Sequence, residues 1–203
     1  MERVLNYSED ILNRKINACV KHKWAVKRFL KDYEACQNNN GPFYFDEEAV
    51  EDFYWFAREF EHTEGVLAGQ PIELTDFQLF LAANLLGFKK KENGARRFRK
   101  AYIQLARKNA KSQFLAILSA FITFFGDEKQ RAFIAGWNKD QSDEVYTAVK
   151  EGIANSELLA GKWRESYGKI EVFRNNSVIV PLSRETRKTG DGKNPSLAVI
   201  EEY

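Results

Sequence analysis

A lysine followed by a hydroxyl residue at the start of an apolar helix can hold a polyphosphate, and this chain has such a pair at Lys111-Ser112. The pair ends the polar segment Ala106-Arg107-Lys108-Asn109-Ala110-Lys111-Ser112. Before it stands Ala101-Tyr102-Ile103-Gln104-Leu105, a short and mostly apolar run that reads as a buried parallel strand. After it the sequence predicts a helix from Ser112 to Phe125. Backbone N–H groups at such a helix start point at an anion, and the helix dipole favours negative charge there. Lys111 would reach the β- and γ-phosphates of a nucleotide, and the Ser112 hydroxyl would ligate Mg²⁺. The phosphate-loop pattern G-x-x-x-x-G-K-[ST] is met only at its end, because Leu105 and Ala110 occupy the glycine positions. An alanine can take the left-handed geometry required, at about 1–2 kcal/mol. Taken alone, the segment reads equally well as a solvated basic loop.

A second constellation follows at Leu197-Ala198-Val199-Ile200-Glu201-Glu202, four apolar residues and then two acids. On a strand, the first acid would hold Mg²⁺ and the second would polarise the attacking water as general base. Carboxylates at the carboxyl end of a parallel strand sit where open α/β sheets bind ligands. The plain alternative is a strand capped by solvated charge. Lys111 lies 91 residues before Glu202. The sequence predicts that both fall on one sheet, with Lys111 and the acids on the same side.

The elements that must position these residues can be read around them. Residues 8–36 have apolar Ile11, Leu12, Ile16 and Cys19/Val20 at helical spacing. Asn38-Asn39-Asn40-Gly41-Pro42 breaks the pattern. A helix is predicted from Asp46 to about His62, with Asp46 as N-cap, and another from Thr75 to about Gly87. Arg131 to Gly136 reads as a strand and Asn138 to about Asn155 as a crossover helix. Lys169–Phe173 and Ser177–Leu182 alternate as a hairpin around Arg174-Asn175-Asn176, where asparagine tolerates positive φ. Strand, loop, helix, strand, helix is the order of a parallel α/β sheet. The expected fold is therefore a P-loop-like parallel sheet flanked by helices. A helical region over 1–70 precedes it, and a β-hairpin stands before the acidic strand in the segment 71–203.

Composition sets the outer limits. The 203 residues suffice for one domain with a helical appendage. A net charge of +2 says little about partners. From Lys89 to Lys111, however, ten basic residues meet one acid, Glu92, a field that attracts phosphate on a nucleotide or nucleic acid, or is simply solvated. Cys19 and Cys36 do not make a disulfide framework and suit a reducing cytosol. His22 and His62 stand apart from any metal-ligand spacing. The run Phe114–Phe125, about a dozen residues, is too short to span a bilayer, and no signal peptide or membrane association is expected.

Three features together resemble the N-terminal ATPase domain of the large terminase subunit of tailed phages. Thr75-Asp76-Phe77-Gln78-Leu79-Phe80 is similar to that family's adenine-binding glutamine motif. Arg96 to Lys100, leading into Ala106–Ser112, is similar to its variant Walker A loop. Asp191 to Glu202 is similar to its Walker B approach. The resemblance covers roughly residues 70–203. It implies an ATPase that drives double-stranded DNA into procapsids, with ATP and Mg²⁺ as cofactors and the portal protein and small terminase subunit as partners. A homo-oligomeric ring in the cytoplasm of the bacterial host is implied as well. Gln78 would read the adenine edge. Arg107 would bond the γ-phosphate, and Lys108, Asn109 and Ala110 would complete the nucleotide loop with Lys111 and Ser112. Glu201 would hold the metal in place of the family's usual Asp, and Glu202 would be the catalytic base. Arg184 or Arg187 would serve as an arginine finger in trans. The family's coupling motif and nuclease domain are expected beyond Tyr203, so nuclease activity is not expected of this chain. Two other readings stand beside this one: a truncated nucleotide- or DNA-binding fragment without useful turnover, and another P-loop motor of helicase type.

Overall fold

The computed structural model describes residues 1–63, 65–106, 108–136, 139–182 and 194–201, with Lys139 by its backbone only. The chain divides into two compact units. Unit 1 comprises Met1–Trp55 and Glu73–Gln104; unit 2 comprises Phe56–Ile72 and Leu105–Tyr203.

Unit 1 is helical. α1 spans Glu2–Leu12 and α2 spans Val20–Gln37. The single helix expected over 8–36 is thus two, separated where Arg14 takes φ 63°. Apolar residues at helical spacing fix which face is buried, but they carry no information about a left-handed break between two turns. A short antiparallel ribbon follows, with β1 (Phe43–Phe45) pairing with β2 (Phe88–Lys90). Between these strands run α3 (Glu47–Ala57) and α4 (Asp76–Ala82), the latter ending in a π-helical turn over Ala83–Gly87. The core is aromatic: Phe29, Phe80 and Phe88 are fully buried, and Phe29 meets the other two edge to face. Gly87 is required here, because a Cβ at that position would lie 2.5 Å from the Phe45 ring. His22 is part of this packing, with its Nε2 3.0 Å from the Tyr7 hydroxyl and its ring against Phe80. Burial lowers its pKa.

Unit 2 is an α/β unit. α5 (Lys111–Phe125) leads to β3 (Arg131–Gly136), and α6 (Lys139–Asn155) leads to a meander of β4 (Trp163–Ser166), β5 (Lys169–Val172) and β6 (Ser177–Leu182). β7 (Leu197–Glu201) is last. The sheet order is β4-β5-β6-β3-β7. β3 is parallel to both β6 and β7, while β5 is antiparallel to both of its neighbours, β4 and β6. The sheet is therefore mixed, not purely parallel. The hairpin foreseen around 174–176 does not stand apart: its second strand, β6, lies parallel to β3, and its first, β5, joins the sheet antiparallel to β6. Asn176 takes φ 53° in its turn. α5 and α6 pack against each other and lie on β3 and β6, with α5 also on β7.

The strand foreseen at 101–105 does not form: residues 101–106 pair with no strand among the described residues. Tyr102 is 83% exposed. A strand exists only through its ladder, and a five-residue run interrupted by Gln104 has no burial on two faces to hold it in one.

Candidate functional site: a phosphate loop facing a buried carboxylate

Parallel pairing of β7 with β3 sets Gly136 beside Glu201, so the carboxyl ends of both strands coincide. α5 begins above this edge. Its N-cap, Ala110, lies in the left-handed region at φ 50°, ψ 33°, and Lys108 also has positive φ, at 63°. The loop thus takes at two non-glycine positions the conformation for which a phosphate loop ordinarily uses glycine, at a cost of about 1–2 kcal/mol each. Such strain persists only where surrounding structure enforces it. Asn109 helps, donating from Nδ2 to the Ala106 carbonyl at 3.1 Å. No side chain caps α5 at its start, so no capping oxygen competes for the N–H groups of its first turn, which suits anion binding.

Lys111 and Ser112 both turn to Glu201. The Ser112 hydroxyl donates to Oε1 at 2.8 Å, and Lys111 Nζ lies 3.5 Å from the same oxygen. Glu201 is 6% exposed, and its Oε2 is buried with no hydrogen-bond partner among the described residues. An unsatisfied buried carboxylate oxygen costs about 1–3 kcal/mol or more. Such an orphan, one hydroxyl away from a helix N-terminus, fits the hard oxygen-ligand set that Mg²⁺ prefers.

Beside Ser112 a cavity of about 610 Å³ opens in unit 2, lined by Gln113 and Ala116 of α5, by Asp140, Asp143 and Thr147 of α6, and by Phe60. Carboxylates in this lining repel anions and can accept hydrogen bonds from hydroxyl groups. The sequence reading missed this lining. α6 showed only a helical period, and nothing in it marked which face would border Ser112.

Gln78 belongs to unit 1, where it closes a capping box. Its Oε1 accepts from the Thr75 backbone N–H at 2.9 Å and from the Thr75 hydroxyl at 3.1 Å. The acceptor half of the amide is thus committed, and Nε2 is the group left to donate. Arg107, Arg184, Arg187 and Glu202 lie outside the described residues.

The profile of the family described as terminase large subunit, ATPase domain, matches residues 76–203, well over half of the chain. No curated protein matches. Among solved structures, the large terminase of bacteriophage HK97 is similar in fold, with a TM-score of 0.62 and 21% identity. That similarity covers 74% of this chain and 30% of the HK97 chain. Lys111, Ser112 and Glu201 all fall within the matched segment, and an ATPase role agrees with a helix N-terminus set beside a buried carboxylate. This chain belongs to the terminase large subunit ATPase domain family.

Proposed function

We propose that the chain is the ATP-hydrolysing portion of a terminase large subunit that moves double-stranded DNA into procapsids, with residues 71–203 as the ATPase segment and 1–70 as a helical region before it. The observation that most supports this reading is the convergence of Lys111 and Ser112 on Glu201, whose second oxygen has no partner among the described residues. Ser112 and Glu201 would hold Mg²⁺, which supplies charge neutralisation to the β- and γ-phosphates when bound. Lys111 would exchange Glu201 for phosphate oxygens, and the first-turn N–H groups of α5 would cradle them together with the backbone of Lys108, Asn109 and Ala110. Glu202 would take the proton of the attacking water, and Arg107 would bond the γ-phosphate. Gln78 would read the adenine by donation from Nε2. Arg184 or Arg187 of a neighbouring subunit would complete the site in a homo-oligomeric ring. The portal protein, the small terminase subunit and the cytoplasm of a bacterial host belong to the same reading. Among the described residues no helix is long and apolar enough to cross a membrane.

Calorimetric titration with ATP·Mg²⁺ tests the site. Charge-assisted bonds from a phosphate-contacting lysine are worth about 1.5–3 kcal/mol, so Lys111→Ala should bind at least roughly tenfold more weakly than the native chain. Equal affinity would remove the loop as the phosphate seat.

A further inference from the structure

The outward face of α2 carries Lys21, Trp24, Lys27, Arg28 and Lys31, all exposed. They recur at three- and four-residue steps opposite the buried Val26 and Phe29. Trp24 is 64% exposed. Lys21, Lys27 and Lys31 have no ion-pair partner among the described residues. Segment 96–100, within the same unit, is fastened to this helix. Arg28 lies over the Phe98 ring at 4.5 Å, and Arg97 pairs with Asp32 at 3.0 Å. The next two residues, Arg99 and Lys100, are exposed. Of the acids on α2, Asp32 is neutralised by Arg97 and Glu34 is exposed at the end of the stripe.

We propose that this face of α2, with Arg99 and Lys100, is a seat for the sugar-phosphate backbone of double-stranded DNA. The inference rests on reading the chain as a DNA-moving motor, and it assigns that task a surface. The helix rises about 1.5 Å per residue, so Lys21 and Lys31 stand about 15 Å apart, the span of about four phosphates along one strand. Lysines on flexible stems match a repeating charge without reading bases, and a motor that travels along any sequence needs that property. A protein partner would require an apolar centre, whereas here the exposed apolar residues, Val20 and Trp24, lie toward the start of the face and the cations Lys21, Lys27, Arg28 and Lys31 run along it. Insertion into an anionic lipid surface would need the apolar face of the helix, which is already buried in the core of unit 1.

Fluorescence anisotropy of the whole chain with a labelled 30-base-pair duplex, over a series of salt concentrations, tests this. Lys21→Glu/Lys27→Glu/Lys31→Glu should weaken binding at least roughly tenfold and flatten the slope of log affinity against log salt by about three. The milder triple change to Gln should lose less. Reversing the same number of charges in unit 2, at Lys129, Lys162 and Arg174, should leave binding near that of the native chain. Nucleotide affinity and the circular dichroism spectrum should be unchanged in every variant. Native-like duplex binding by the α2 triple overturns the inference while leaving the motor reading intact. Equal losses in the unit 2 control overturn it as well, by showing a diffuse field. A native chain that binds ATP but no duplex at any salt overturns both. Loss of binding to phosphatidylglycerol vesicles without loss on duplex assigns the face to lipid, and so also overturns it.

Discussion

Glu201 concentrates the chemistry of the described site in one side chain. Its Oε1 is shared by a hydroxyl and an ammonium, and its Oε2 has no partner among the described residues. A carboxylate buried to this degree is retained at a cost, and the arrangement makes sense if a cation completes it. Glu201→Gln preserves size and a hydrogen bond to Ser112 but removes the charge. The gain in ATP affinity that Mg²⁺ confers should therefore shrink at least roughly tenfold in this variant. ATP free of metal should bind no worse than before, since Lys111 is released from its pair. Titrations with Mg²⁺ and with chelator check this, and a variant with native Mg²⁺ dependence would remove Glu201 from the metal site. That Lys111 and Ser112 would stand at a helix start and Glu201 at a strand end was legible in the sequence, because an apolar run adjoins each of them. The commitment of the Gln78 Oε1 to Thr75 was also readable in principle, because Thr-x-x-Gln before an apolar run is a capping-box pattern. The functional reading of Gln78 obscured it.

At the scale of elements, the sequence spoke clearly where burial set a period and poorly where a partner strand decided the outcome. β3 falls on the residues expected, and β5 and β6 stop within a residue of the hairpin read from 169 to 182. The run at 101–105 has similar apolarity but no ladder. β4 was missed because Trp163-Arg164-Glu165-Ser166 is half exposed and its pairing with β5 depends on a turn at Tyr167-Gly168, both at positive φ. The turn after β5 has a second task. Asn175, 5% exposed, donates from Nδ2 to the Thr123 carbonyl at 2.9 Å and to the Gly126 carbonyl at 3.1 Å. No basic residue stands in the last turn of α5, so the hairpin supplies the donor that its terminal carbonyls lack. Asn175→Ala should cost about 1–3 kcal/mol, visible as a lower urea midpoint with an unchanged slope. A midpoint unaltered by the change would show that water replaces the amide without loss.

Two compact units in one chain make the response of the whole molecule to ligand informative. A ligand that binds only the folded state stabilises it by about 2.7 kcal/mol at a hundredfold excess over Kd. For a chain of this size that is a rise in Tm of about 5–10 °C. If phosphate recognition resides in unit 2, tripolyphosphate with Mg²⁺ should slow hydrogen exchange in α5 and β7 while leaving α4 as it was. ATP with Mg²⁺ should do the same and, if Gln78 reads the adenine, should also slow α4. Lys111→Ala should abolish the response in α5 to both ligands at the same concentrations. Exchange read peptide by peptide separates the two contributions, which a single melting curve merges whenever the units do not unfold together. Protection of α4 by tripolyphosphate alone would mean that its response reports coupling through the chain and not contact with the base. Absence of α4 protection under saturating ATP would leave Gln78 a helix cap and nothing more, since its capping box already accounts for a buried glutamine at that position.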